Sequence, residues 1–163
     1  MLLQKLFPSR SDLNFNRIGT SSEFSRYEVM RLIIVEDEAL LALCISEAVE
    51  AAGHEVVCCE PSATRALNCA RAHGADLALV NISLAKGKTA GVDLAKKLRE
   101  LDIPSLFVSG QRTDAISAKE FALGFLPKPY TPSDVLGAVS VAEELNRGGT
   151  PPPPAIPQNL ELF

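Results

Sequence analysis

The sequence has no tryptophan, only two histidines and four cysteines, and no long apolar run. Its apolar runs fall short of the roughly 18 residues of a membrane span, so a transmembrane protein is not expected. The formal net charge of −4 argues against a nucleic-acid-binding surface, which needs a basic patch. The first ten residues, interrupted by Gln4, Lys5 and Pro8, do not resemble a signal peptide. These absences leave a soluble globular protein.

The four cysteines, Cys44, Cys58, Cys59 and Cys69, form no CxxC pair. With only two histidines available, this spacing argues against a zinc site. Cysteines within apolar runs are typical of reduced, buried residues in a cytoplasmic protein, and we predict that state and that location here.

Composition divides the chain into three zones. Residues 1–29 are rich in Ser, Arg and Asn and have no apolar period, which predicts a flexible N-terminal extension. Met30 directly precedes the first clear strand, so translation starting there is an alternative to a genuine arm. Residues 30–147 predict one domain, and residues 148–163 form a Gly/Pro-rich tail, either disordered or a short docking strand.

The middle zone alternates apolar runs with amphipathic segments. Continuous apolar runs such as RLIIV and DLALV are typical of strands covered on both faces. Five strand–helix units of this kind predict a parallel sheet with helices on both faces. The last helix is expected to begin at a capping box, with Thr131 as N-cap and Asp134 at N3.

Polar side chains stand at the ends of four of these strands. Glu36 and Asp37 follow the first strand, Asn81 the third, Ser109 ends the fourth and Lys128 follows the fifth. The carboxyl ends of parallel strands form the ligand site in such sheets, so these residues should converge. Acids for a divalent ion, a hydroxyl and an ammonium suit phosphoryl transfer to a carboxylate.

Four segments in this order resemble the receiver domain of two-component response regulators. They are RLIIVEDEALLALCISEAVEAAGHEV, ADLALVNISLAKGKTAGVDLAKKLR, IPSLFVSG and GFLPKPYTPSDVL, within residues 30–147. The resemblance implies an α/β flavodoxin-like (βα)5 fold, a doubly wound parallel sheet with strand order 2-1-3-4-5. It also implies a signalling protein of a bacterial phosphorelay rather than an enzyme.

The resemblance assigns roles to individual residues. Glu36, Asp37, position 81 and the backbone carbonyl of Ser83 match the Mg²⁺ ligands of the family. Ser109 and Lys128 match the residues that contact the phosphoryl group. Phe125 matches the switch aromatic, although a plain core role is the simpler interpretation.

Asn81 stands where the family has its phosphoacceptor aspartate. An amide nitrogen is not a usable nucleophile, so Asn81 should not accept phosphate. Fewer carboxylates should weaken Mg²⁺ binding, relieve repulsion between the acids and leave Lys128 to pair with Asp37. Three explanations stay open: a natural phosphorylation-independent receiver, an engineered replacement of the aspartate, or phosphorylation of a nearby hydroxyl such as Ser83.

These observations predict a stand-alone receiver that acts by protein binding. The expected partners are a histidine kinase, a phosphotransfer protein or another signalling protein, and homodimerisation stays open. The expected surface combines the fourth helix, fifth strand and fifth helix, around Phe121, Phe125, Tyr130 and Val135. An ordinary phosphoaccepting receiver with a replaced aspartate is the alternative. A small-ligand-binding module is disfavoured because no Gly-rich loop follows the first strand.

Overall fold

Strands and helices alternate along the chain in the computed structural model of the protein, which describes residues 29–85, 87–150 and 156–163. The strands are β1 (Arg31–Val35), β2 (Glu55–Glu60), β3 (Leu77–Val80), β4 (Ser105–Ser109), β5 (Gly124–Pro127) and β6 (Glu161–Leu162). The helices are α1 (Ala39–Ala51), α2 (Ala63–His73), α3 (Ala90–Arg99), α4 (Arg112–Ser117) and α5 (Pro132–Asn146). None of the helices in these ranges is long and apolar enough to traverse a bilayer. The expected N-terminal extension, apart from Val29, and the proline run lie outside the described residues.

The six strands form one sheet in the order β2-β1-β3-β4-β5-β6. The pairs from β2 to β5 are parallel, which confirms the predicted α/β flavodoxin-like sheet with order 2-1-3-4-5. β6 is antiparallel to β5 and extends the sheet beyond the predicted five strands. The tail therefore ends in a docking strand, the second of the two alternatives that its composition allows.

Two apolar layers enclose the sheet because alternate side chains of each strand point to opposite faces. Ile33 and Val35 of β1 pack with the layer under α2, α3 and α4. Leu32 and Ile34 pack with the layer under α1 and α5. Burial on both faces explains why these strands read as continuous apolar runs.

Local signals set the helix ends. Gly53, at φ 90°, follows α1, as expected for a residue that must adopt a left-handed conformation. The predicted capping box begins α5: the Thr131 hydroxyl accepts from the Asp134 backbone, and Asp134 accepts from the Thr131 backbone. The fourth helix ends at Ser117, and a separate 3-10 turn, Lys119–Phe121, follows it.

The prediction of reduced, buried cysteines is wrong in two respects. Cys58 of β2 and Cys69 of α2 are disulfide-bonded, and Cys44 and Cys59, although free thiols as predicted, are exposed. The reason is the position of β2 at the edge of the sheet: Cys58 packs on the α2 side of the strand, whereas Cys59, on the α1 side, stays exposed. Partial burial of the Cys59 sulfur, then the charges of Glu60 and Glu36, raise the pKa of this thiol, which disfavours its reactive thiolate.

Candidate functional site

The carboxyl ends of the central strands form an acidic crevice, which we define by Glu36, Asp37, Glu38, Asn81 and Lys128. Glu36 and Asn81 are nearly inaccessible, at 3% and 6% exposure, whereas Asp37 and Glu38 are exposed. β1 and β3 are neighbours in the sheet, and the Asn81 backbone N–H donates to the Val35 carbonyl at 2.9 Å. Sheet pairing therefore fixes Asn81 beside the acids, as the strand-end argument predicts.

The Asn81 side chain links the two acids. Its Nδ2 donates to Glu36 Oε1 at 3.0 Å and to Asp37 Oδ1 at 3.3 Å. Ionised carboxylates only accept hydrogen bonds, so the amide must turn its NH₂ group toward them. Glu36 Oε1 also accepts from the Glu38 backbone at 3.2 Å. A donor thus occupies the position between the acids.

Lys128 closes the crevice from β5. Its ammonium lies 2.8 Å from Glu36 Oε2 and 3.2 Å from Glu38 Oε1. The prediction that Lys128 pairs with Asp37 is therefore wrong, because Asp37 turns to the Asn81 amide and Glu38 reaches back to the lysine. Burial alone would lower the pKa of Lys128, but the hydrogen bonds and charges of Glu36 and Glu38 outweigh it and raise the pKa.

Ser109 and Ser83 occupy the neighbouring loops. Ser109 is buried, with 1% exposure, and its hydroxyl accepts from the Gln111 backbone at 3.3 Å. The hydroxyl therefore caps the turn into α4. Ser83 is half-buried in the loop after β3. The expected roles of Ser109 in contacting a phosphoryl group and of Ser83 in binding metal stay predictions.

The residues predicted to surround the partner surface are largely inside the protein. Phe125 and Val135 are buried, at 0% and 1% exposure. Phe121 is half-buried, with the Lys96 ammonium 5.1 Å from its ring centroid. Both buried residues lie on the inner faces of their elements, so they cannot contact a partner directly, and that part of the surface prediction is wrong. The switching role of Phe125 stays a prediction.

Tyr130 precedes α5 and packs against the apolar layer under α1 and α5, close enough to the crevice to sense the charges of Glu36 and Glu38. Its hydroxyl is buried without a hydrogen-bond partner in the described part of the chain. Burial, followed by the charges of Glu36, Glu38 and Cys44, raises the pKa of Tyr130 well above its usual range. The phenol therefore stays protonated beside the acids.

Gly91 is a positioning residue that the sequence pattern does not reveal. A Cβ at this position would overlap the Asn81 carbonyl oxygen and lie 2.7 Å from the Ile82 Cα. The missing side chain lets the start of α3 approach the end of β3, where the Gly91 N–H donates to the Ile82 carbonyl at 3.0 Å. A glycine that opens a predicted helix carries no signal of this contact in one sequence.

The donor set does not fit Mg²⁺ in this arrangement. Three of the four carboxylate oxygens of Glu36 and Asp37 accept from Asn81 or Lys128. Mg²⁺ requires oxygen ligands in near-octahedral geometry, whereas an N–H donor points into the shared position here. Within residues 29–85, 87–150 and 156–163, no group of three or more His, Cys, Asp or Glu residues is placed to hold a metal ion.

A doubly wound α/β domain with acids after its first strand and a lysine after its fifth defines a signalling domain of the receiver class. The chain belongs to the response regulator receiver domain family, whose family model matches residues 32–140. Receiver domains are signalling modules that interact with kinases and other signalling proteins, and they generally bind Mg²⁺ at this crevice.

Bacterial relatives share this domain. The transcriptional regulatory protein PdtaR of Mycobacterium tuberculosis is 30% identical over 115 residues, 69% of this chain and 56% of that protein. The phyllosphere-induced regulator PhyR of Methylorubrum extorquens is 29% identical over 114 residues, 68% of this chain and 42% of that protein. The chain thus spans about half the length of the curated relatives it matches.

Solved structures agree with this assignment. The response regulator PhyR from Brucella abortus is 29% identical with a TM-score of 0.66, over 76% of this chain and 51% of that one. The signal receiver domain of a modulated diguanylate cyclase from Desulfovibrio desulfuricans G20 is 27% identical, also with a TM-score of 0.66. That match covers 74% of this chain and 98% of that one.

Proposed function

We propose that this receiver domain signals without accepting a phosphoryl group and acts by binding another signalling protein. The observation that carries the proposal is the pair of hydrogen bonds from the Asn81 amide to Glu36 and Asp37. These bonds use the residue at the acceptor position to hold the two acids together.

The chemistry of the amide supports this proposal. Phosphoryl transfer to a receiver needs a carboxylate nucleophile, and the Asn81 nitrogen has its lone pair delocalised into the carbonyl. The NH₂ group faces the acids as a donor, so it is oriented for structure rather than for attack.

The charge balance of the crevice supports it as well. Phosphoryl transfer relies on cations that neutralise the developing charge on the phosphoryl oxygens. Here the Lys128 ammonium is already hydrogen-bonded to Glu36 and Glu38, and its side chain is only 20% exposed. Lys128 is therefore already paired within the crevice, and an incoming phosphoryl group would have to compete with Glu36 and Glu38 for it.

Partner binding follows from the class of domain. A histidine kinase, a phosphotransfer protein or another signalling protein is the proposed partner. One structural neighbour from Bartonella quintana, 24% identical, is described as the anti-anti-sigma factor PhyR, so receiver domains occur in proteins that act on other regulators. We place the contact on the face that combines α4, β5 and α5.

The test compares the native protein with Asn81→Asp in the presence of Mg²⁺ and acetyl phosphate, with intact mass as the readout. We expect no adduct on the native protein and one hydroxylamine-sensitive phosphoryl group on the variant. Asn68→Asp, which makes the same change at an exposed site on α2, is the matched control and should stay unmodified. A phosphoryl adduct on the native chain would contradict the proposal, and its loss in Ser83→Ala would identify the serine as the acceptor.

A further inference from the structure

The end of the chain covers the free edge of β5. β6 pairs antiparallel with β5, with Gly124 opposite Leu162 and Phe125 opposite Glu161. The Phe163 N–H donates to the Leu123 carbonyl at 3.1 Å. Strand edges with unpaired backbone groups are sites of strand addition. Here the edge of β5 is already paired with the tail segment, which we define as Ile156–Phe163.

The tail segment contacts all three elements of the proposed partner face. The Arg112 guanidinium of α4 lies 2.9 Å from Glu161 Oε1. Leu160 is 7% exposed and packs into the apolar layer under α5. The tail is therefore seated by an ion pair to α4, by strand pairing with β5 and by burial of Leu160 against the layer under α5.

Two glycines of the domain make room for this segment. A Cβ on Gly124 of β5 would lie 2.5 Å from the Glu161 carbonyl oxygen. A Cβ on Gly137 of α5 would lie 2.6 Å from the Pro157 Cγ. Glycine inside a helix or strand costs stability relative to alanine, so both positions give up local stability where the tail passes. The groove is fitted to a segment that turns between Pro157 and Leu160 and then pairs with β5.

We propose that this groove on β5 and α5 is a peptide-binding site, and that the tail segment is its built-in competitor. The inference rests on the proposed function in one respect, since the face that the tail covers is the one assigned to partners. The ligand is a segment with proline, leucine, glutamate and phenylalanine in the tail's spacing, which turns after the proline and then adds a strand to β5. A partner that presents such a segment binds by displacing the tail.

The tail segment is held weakly enough to be exchanged for a partner segment. β6 contains two residues, and the side chains of Arg112 and Glu161 are 68% and 33% exposed. Exposed ion pairs contribute little, and short edge strands open locally without global unfolding. The tail nevertheless competes strongly, because its attachment to the same chain gives it a high effective concentration.

The test uses the full chain and a fluorescein-labelled peptide, IPQNLELF, with fluorescence anisotropy as the readout. Leu160→Asp places a charge in the apolar layer and should release the tail while leaving the groove intact. Gln158→Asp adds the same charge at an exposed tail position and is the matched control. We expect Leu160→Asp to bind the peptide more than about tenfold tighter than the native chain or the control.

A second variant blocks the groove without weakening its helix. Gly137→Ala, added to Leu160→Asp, should abolish peptide binding, although alanine favours the helix more than glycine does. In the otherwise native chain, Gly137→Ala should speed hydrogen exchange of the tail amides and leave the α1 amides unchanged. This second measurement does not depend on Leu160→Asp being folded.

Three results would overturn the inference. The first is equal peptide binding by the native chain and Leu160→Asp. The second is no peptide binding by Leu160→Asp together with slow hydrogen exchange of the tail amides in Gly137→Ala. Either would show that the tail covers no peptide site. A native dimer that Leu160→Asp converts to a monomer would show tails exchanged between copies. None of these readouts involves the crevice, so they stand apart from the acetyl phosphate result.

Discussion

Replacing Asn81 by aspartate should convert two hydrogen bonds of the crevice into repulsions. In the native protein, Nδ2 lies 3.0 Å from Glu36 Oε1 and 3.3 Å from Asp37 Oδ1. Asn81→Asp puts a third carboxylate at these distances, in a position with 6% exposure. Two charge-assisted hydrogen bonds are lost, and two like-charge contacts replace them.

The size of the effect follows from these distances. Two unit charges at that separation and an effective dielectric constant of about 20 repel by about 5 kcal/mol. Protonation of one carboxyl limits the penalty. Keeping a carboxyl with an ordinary pKa of about 4 protonated at pH 7 costs about 4 kcal/mol, so the repulsion cannot cost more than that. Asp37 is exposed, so water screens its share. We therefore expect Asn81→Asp to lower the free energy of unfolding by about 2–4 kcal/mol at pH 7 without metal.

Urea unfolding monitored by far-ultraviolet circular dichroism measures this difference, since the chain has no tryptophan. Mg²⁺ should restore most of the loss in Asn81→Asp and leave the native protein unchanged, because the metal replaces the amide between the acids. Lowering the pH should also shrink the deficit, since one carboxylate can then take up a proton. Equal stability of Asn81→Asp and the native protein in EDTA at pH 7, with Asn68→Asp as control, would refute the reasoning.

Three further predictions concern Lys128, Gly91 and the disulfide. The hydrogen bonds and charges that raise the pKa of Lys128 also stabilise the fold. This stabilisation is fully present below the ordinary pKa of 10.5 and is lost as the pH rises through the higher pKa of the folded state. The native protein should therefore lose stability more steeply than Lys128→Met in urea titrations above that pH. Gly91→Ala should cost about 1–3 kcal/mol in urea unfolding, because its Cβ would overlap backbone, whereas Gly110→Ala, with open space around it, should cost less. Reducing the Cys58–Cys69 bond, which spans 11 residues, should lower stability by about 2–3 kcal/mol, and thiol titration of the unfolded chain should rise from two groups to four. Unchanged thermal unfolding in dithiothreitol would contradict the last of these.

The fold is predictable from sequence because its determinants are local. Continuous apolar runs mark the doubly covered strands, and Gly53 and the Thr131 capping box mark helix ends in adjacent residues. Strand-end positions also predict that Glu36, Asn81 and Lys128 converge, since a parallel sheet brings those ends together.

The sequence pattern does not show which neighbour each polar side chain contacts. Lys128 could pair with any of three consecutive acids, and only the three-dimensional arrangement selects Glu36 and Glu38 over Asp37. The Cys58–Cys69 pair depends on how α2 packs against an edge strand. Such contacts depend on tertiary packing, which one sequence does not encode in any local period.

β5 connects the crevice to the tail and gives the two proposals a common basis. Its carboxyl end presents Lys128 to Glu36, and its edge pairs with Glu161 of the tail. Phe125 lies between them with no exposed surface, and its strand position is opposite Glu161. A ligand shifts a conformational equilibrium only by the difference between its binding energies for the two conformations. Because Lys128 is already paired with acids, a ligand in the crevice has little such difference with which to shift β5. The edge would offer one under the proposed exchange, because a partner strand would replace the tail on β5 itself. We therefore expect the signal in this receiver to enter at the β5 edge rather than at the crevice.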